Sequence, residues 1–183
     1  MNKLQNGVYF ITGVYGVGKT SLCDKLKEVL SVPYFSASEL ISVQNNETYG
    51  ANKAVKDKVE NQNLLERAIK QKLLKYPTIF LNGHTAIFTK NKTVDLLPTQ
   101  AFHNFNLRAI VLLETTASIL LKHLNNRDKV IYSAGEIAAL ADAERSQCQI
   151  ISQELQIPLV RHTMKYDNTD YLSLATQLQG IDL

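Results

Sequence analysis

Gly13-Val14-Tyr15-Gly16-Val17-Gly18-Lys19-Thr20 is the stretch whose reading decides the fold. It satisfies G-x-x-x-x-G-K-[ST] at every fixed position. Glycines at 13, 16 and 18 let backbone N–H groups turn inward and approach phosphate oxygens with no Cβ in the way. Lys19 is a point charge for the β- and γ-phosphates, and the Thr20 hydroxyl suits Mg²⁺. A chance match in a chain of this length is on the order of 1% at average glycine usage. The run from Gly13 through Val14, Tyr15, Gly16, Val17, Gly18, Lys19 and Thr20, with Ser21 behind it, is therefore read as the cradle for the phosphates of ATP.

The flanks agree with this reading. Residues 8–12 form a short β-rich run that ends in the glycine loop, as a buried first strand would. Residues 19–30 carry apolar positions at Leu22, Leu26, Val29 and Leu30, a helical stripe that sets the positive end of a helix under the loop. Further out, short apolar runs at 32–35, 78–81, 107–113 and 158–161 read as strands. Helical patterns at 53–76, 116–124, 133–155 and 170–179 alternate with them. Ser36 with Glu39, and Ser133 with Glu136, have the spacing of capping boxes. Pro77 ends the longest early helix. Residues 84–98 show turn chemistry without a clean period and read as a long loop. Strands alternating with helices predict an α/β fold, a parallel sheet covered on both faces, as one domain over 1–183.

The bulk composition narrows the partners. Among 183 residues, 20 are basic and 17 acidic, a formal charge of +3 that argues against a nucleic-acid partner. No run approaches the ~18 apolar residues of a membrane span, and residues 1–7 do not read as a signal peptide. The expected setting is cytoplasmic, with Cys23 and Cys148 as small buried apolar residues rather than a disulfide or metal pair. His103, His123 and His162 share no metal-binding spacing and are expected on the surface or with satisfied partners.

Phosphoryl transfer needs cations around the moving group. The charged loop 125–133 supplies Arg127 and Lys129 around Asp128, and Arg145 follows on the next helix. Together they read as a phosphate-clamping lid over about 125–134. At the end of the third strand, Asn82 stands where P-loop proteins commonly place a metal-positioning carboxylate, so it would serve Mg²⁺ through water. His84 is a candidate to touch phosphate or orient a water, and Glu114 a spare carboxylate near the metal or a helix N-terminal group.

With these residues in view, the chain resembles the small nucleoside monophosphate kinases of the archaeal adenylate kinase type over nearly its whole length. Residues 11–20 are similar to that family's first strand and loop. Asn82-Gly83-His84 stands where the family has Asp-x-His, and Thr85 to Leu97-Pro98 is similar to its acceptor-side loop. Leu112-Leu113-Glu114-Thr115-Thr116 matches its fourth strand and turn, and Arg127-Asp128-Lys129 its lid. The resemblance implies a five-stranded sheet of order 2-3-1-4-5, a mobile lid and an acceptor region at about 36–70. It also implies transfer of the ATP γ-phosphoryl to a nucleoside monophosphate with Mg²⁺. Two departures stand out: Asn82 replaces an aspartate, and the lid holds a lysine where arginines are usual. Arg67 is the sole arginine between 36 and 107, leaving Lys53, Lys56, Lys58, Lys90 and Lys92 to grip an acceptor phosphate. A slow ATPase that switches a protein partner remains the alternative, and a nucleoside, a sugar-like metabolite or a polynucleotide end are further acceptor classes.

Overall fold

The computed structural model describes residues 4–44, 58–127 and 131–181, with backbone alone at 44, 58, 59 and 125–127. Strand β1 (Gly7–Thr12) is buried along its whole length. It lies between β3 (Thr78–Asn82) and β6 (Leu107–Glu114), parallel to both. The edges are β2 (Tyr34–Ser36) and β7 (Leu159–Thr163), again parallel. The sheet order β2-β3-β1-β6-β7 is the expected 2-3-1-4-5 once its five strands alone are counted.

Side chains alternate across β1, and this alternation divides the core into two layers. Tyr9 and Ile11 face the layer built with Leu22 and Leu26 of α1 (Lys19–Leu30), Leu120 and Leu124 of α4 (Ala117–Arg127) and Leu174 of α6 (Thr169–Gln179). Val8 and Phe10 face the opposite layer, with Leu65 and Ile69 of α3 (Lys58–Lys75) and Cys148 and Ile151 of α5 (Ala134–Leu155). Both faces of the sheet are thus covered, which is why its central strands carry near-continuous apolar runs. Both cysteines are buried as expected. Burial pushes the Cys23 thiol up to about 12, and Cys148 is raised for the same reason.

The capping box predicted for α5 is present: the Ser133 hydroxyl accepts from Glu136 N–H, and Glu136 accepts from Ser133 N–H at 2.7 Å. Helix α2 (Ala37–Gln44) follows β2 directly. Other expectations are corrected. The second strand begins at Tyr34, not at 32, and α4 runs on to Arg127, so the polar loop expected from 125 starts later. The helix start expected at 53 lies outside the described residues; α3 is seen from Lys58.

The main correction concerns 84–98. Instead of an irregular loop, the chain folds as a hairpin of β4 (Ala86–Phe88) and β5 (Val94–Leu96), then a 3₁₀ turn over Thr99–Phe102. Each strand is three residues long, too short to show a period of two. Its turn uses Lys92 at φ 59° where a glycine or asparagine would have announced it. Thr89 N–H donates to the Thr93 carbonyl at 2.8 Å to close the turn.

Candidate functional site

Parallel strands bring their carboxyl ends to one edge of the sheet, so Thr12, Asn82 and Glu114 are gathered there by topology alone. The chain leaving β1 must pass close under β6. A Cβ on Gly13, whose φ is 144°, would stand 2.5 Å from the Leu113 carbonyl oxygen, so only glycine fits. Gly18, at φ 97°, then opens α1 in the left-handed region. The first-turn N–H groups of α1 have no helical acceptor and point toward the loop's concavity.

Lys19 is folded into the loop it belongs to, with Nζ donating to the carbonyls of Gly13 at 2.7 Å and Val14 at 3.2 Å. Asn82 reaches the same place from β3: its Nδ2 lies 3.4 Å from Thr20 Oγ1. The two residues expected to serve Mg²⁺ are thus neighbours, although 62 positions apart in the chain.

The phosphate loop opens onto a cavity of about 710 Å³. Its lining includes Gly16, Gly18, Lys19, Thr20 and Ser21 of the loop and the start of α1. Ser36 and Ser38, Asn61 and Gln62 of α3, and the largely buried Phe10, Phe102 and Phe105 also line it. His84 and Asn82 line it as well. Gly83 leaves room for the buried Phe10 ring, which a Cβ there would meet at 2.7 Å. Among the described residues lining the cavity, Lys19 is the one Lys, Arg, Asp or Glu.

Beneath the loop sits a group that the sequence reading passed over. Glu144 of α5 is fully buried, and its carboxylate collects donors from two other elements. Thr12 Oγ1 donates to it, as do the N–H groups of Gly13 at 3.1 Å, Thr85 at 3.1 Å and Ala86 at 2.6 Å. It thereby ties the first residue of the phosphate loop to the segment that carries His84, whose Nδ1 is 4.0 Å from Glu144 Oε1. The His84 ring also lies 4.4 Å from that of Tyr15, centre to centre. A signal for Glu144 did exist in the sequence. It falls on the apolar stripe Ile137, Leu140, Cys148, Ile151 of its own helix, where a carboxylate must find partners.

His123 was also expected to be merely satisfied. Its Nδ1 donates to the Gly16 carbonyl at 2.9 Å, and its ring meets Tyr166 edge-on at 5.0 Å, so α4 and the segment after β7 brace the loop from outside. His162 pairs with the buried Asp170 at 2.9 Å, and His103 with Glu154 at 2.7 Å.

The lid residues fare differently. Arg127 ends α4, and Lys129 lies outside the described residues. Arg145 is not brought to the cavity. Its Nε donates to Glu114 at 2.8 Å and its Nη1 to Asp142 at 2.6 Å, while Arg161 holds Glu114 from the other side at 2.8 Å. A strand-end carboxylate between two guanidiniums outcompetes a distant phosphate position for Arg145. Burial pushes the Glu114 carboxyl up, but the Arg161 and Arg145 hydrogen bonds outweigh it and hold the group below the usual carboxylate range. Its contribution to stability is therefore complete above the ordinary glutamate range and is lost as pH falls through the lower folded value. Arg145→Ala is expected to leave kcat within about threefold and to lower stability by about 1 kcal/mol, read from steady-state kinetics and thermal melts. A more than tenfold loss in kcat at unchanged ATP affinity would instead place Arg145 on the phosphates.

Comparison with known proteins comes to the same fold. A family model described as an AAA domain matches residues 12–137. Shikimate kinase from Aquifex aeolicus superposes with a TM-score of 0.62 at 14% identity, covering 94% of this chain and 96% of that one. Shikimate kinase from Bacteroides thetaiotaomicron gives 0.59 at 18% identity, with 94% and 96% covered. A gluconokinase from Sinorhizobium meliloti gives 0.54 at 12% identity, with 97% and 93% covered. No curated protein matches the sequence. Among the described residues, no helix is long and apolar enough to cross a membrane.

Proposed function

The chain belongs to the AAA domain family, and on that premise we propose that it is an ATP-dependent phosphotransferase acting on a small acceptor. One observation carries this reading: the phosphate loop lines the same cavity of about 710 Å³ as a set of mostly apolar residues from β2, α2, α3 and the segment 82–105. A γ-phosphoryl held at Lys19 and Thr20 would face this cavity, which His84 and Asn82 also line. ATP would lie with its phosphates on residues 13–21. The structural neighbours named above are kinases of small molecules, which supports the reading without fixing the acceptor.

Mg²⁺ fits the donors present. A hydroxyl and a neutral amide make a weak protein site, suited to an ion that keeps most of its waters and takes the rest of its ligands from phosphate. Thr20 would hold the ion and Asn82 would order its water, while the ion supplies charge neutralisation to the phosphates. Asn82→Asp adds a carboxylate beside Thr20. It is expected to lower the Mg²⁺ concentration for half-maximal turnover several-fold, measured by titrating the metal at saturating ATP.

The finer reading, a nucleoside monophosphate as acceptor, has the sequence resemblance behind it. It requires cations to grip the acceptor's own phosphate. Of the candidates named for this, Lys53, Lys56 and the Lys58 side chain lie outside the described residues, Arg67 and Lys90 are exposed and do not line the cavity, and Lys92 donates to the Ile131 carbonyl at 2.6 Å.

The test is a turnover screen with ATP and Mg²⁺, offering small hydroxyl compounds, the five common nucleoside monophosphates and no acceptor in parallel. ADP formation that depends on an acceptor, with the phosphorylated product alongside, is the expected outcome. The same slow ADP release in every tube would sink the phosphotransferase reading and leave a nucleotide-driven switch.

A further inference from the structure

Two residues far apart in the chain hold one imidazole beside the phosphate loop. The half-buried Tyr15 ring lies 4.4 Å from that of His84, centre to centre, tilted by 46°. Glu144 meets the same imidazole at Nδ1, which is shut off from solvent and 4.0 Å from Oε1. The 22% of the His84 side chain that is exposed therefore lies elsewhere on the group, and His84 lines the cavity. The ring edge opposite Nδ1 carries Nε2, a nitrogen able to hydrogen-bond a ligand. The backbone beyond His84 is fixed as well, since the N–H groups of Thr85 and Ala86 donate to the Glu144 carboxylate at 3.1 and 2.6 Å. Tyr15 is backed in turn by Phe88 of the hairpin, ring centres 6.4 Å apart at 28°, and Phe88 by Tyr132 at 5.5 Å and 16°.

Lys19 identifies which end of the loop this is. Its Nζ, the charge for the β- and γ-phosphates, lies on the carbonyls of Gly13 and Val14, next to Tyr15 in the chain. Gly13 N–H and His84 Nδ1 also face the same Glu144 oxygen, at 3.1 and 4.0 Å. The imidazole thus stands by the part of the loop that holds the transferable phosphoryl group. Phosphate binding by loop N–H groups leaves the side chain at position 15 open to any residue, so an aromatic ring there serves something else. A group that must meet a moving phosphoryl needs a set ring plane, and a packed tyrosine ring supplies one. Resting on the phosphotransferase reading above, we propose that Tyr15 is a positioning residue: its ring holds the His84 imidazole at the γ-phosphate end of the loop, where Nε2 donates to the γ-phosphoryl oxygens. His84 thereby adds a fixed donor to the charge of Lys19 as the phosphoryl group moves.

Two measurements on the full chain test this. In steady-state turnover with ATP, Mg²⁺ and an acceptor that supports it, Tyr15→Leu should lower kcat by about tenfold while KM for ATP stays within about twofold. Tyr15→Phe restores a ring and should recover most of that loss. His84→Asn can still face Glu144 but does not reach as far as Nε2, and should cost about tenfold or more. The double variant should then be no slower than His84→Asn alone, within about twofold, because Tyr15 acts through His84. Losses that multiply, unchanged kcat in either single variant, or ATP affinity falling in step with kcat in Tyr15→Leu would overturn the assignment.

The second measurement follows the His84 imidazole protons by NMR, assigned by their absence in His84→Asn. Adding the β,γ-imido analogue of ATP with Mg²⁺ should shift them in the natural chain, and the shift should shrink several-fold in Tyr15→Leu. If no acceptor is ever phosphorylated, the phosphotransferase reading has failed and this titration decides the placement separately. A nucleotide-dependent shift that needs the Tyr15 ring sustains it, and His84 signals that ignore bound nucleotide overturn it.

Discussion

Lys19→Ala should lower turnover by about 10²–10³-fold, the usual loss when one preorganised charge is taken from the transferring group. The side chain is buried against the loop, and its Nζ lies on the carbonyls of Gly13 and Val14, so the charge is held at the loop before any phosphate arrives. Alanine removes that charge, and the other described residues lining the cavity carry no lysine or arginine. ATP affinity should fall less than kcat, because the loop N–H groups remain. Single-turnover kinetics with parallel nucleotide titration separate the two. Unimpaired turnover in Lys19→Ala would mean that the chemistry does not take place at this loop.

Glu144→Gln is expected to be the most damaging of the near-isosteric changes in both stability and activity. The carboxylate accepts from Thr12, Gly13, Thr85 and Ala86 in a fully buried position. A glutamine presents one oxygen and an NH₂ group, so at least one of those N–H groups would face another donor. Hydrogen bonds to a charged group contribute about 1.5–3 kcal/mol each, and a buried donor left unmet costs a similar amount, so a loss of about 2–4 kcal/mol is expected in urea unfolding. Because Gly13 begins the phosphate loop and Ala86 begins the hairpin, kcat should fall by more than tenfold even where the variant is fully folded. An unchanged unfolding midpoint would show that this set of hydrogen bonds does not fasten the loop to the hairpin.

These two residues differ in how far they could be found without coordinates. Lys19 sits inside a local pattern in which every residue needed for phosphate binding lies within eight positions, and local backbone geometry does the rest. The same holds for the strand before it and for the apolar stripe of α1. Ser133 and Glu136 also act over three residues, and their capping box is present as read. The order of the five strands was implied by resemblance, and the register of β1 between β3 and β6 agrees with it.

Glu144 marks the limit of that kind of reading. Its helix position said that it must be paired, but its donors come from 58, 59, 131 and 132 residues away, and no spacing rule reaches that far. Arg145 shows the converse. A charged residue on the helix after a charged loop reads as a lid arginine, yet the competing partner, Glu114, comes from a strand 31 residues earlier. The hairpin at 86–96 escaped because its strands are shorter than a readable period and its turn carries a lysine at positive φ.

By itself, then, the sequence determined the parallel α/β architecture and the phosphate-binding loop, because periodicity, caps and a glycine-rich turn are written in neighbouring residues. Only the tertiary structure decided what surrounds that loop: Asn82 beside Thr20, His84 near Glu144, and Asn61 and Gln62 of α3 on the lining of the same cavity. Those neighbours meet through burial and sheet pairing between distant segments, and burial is a property of the packed whole rather than of any stretch of chain.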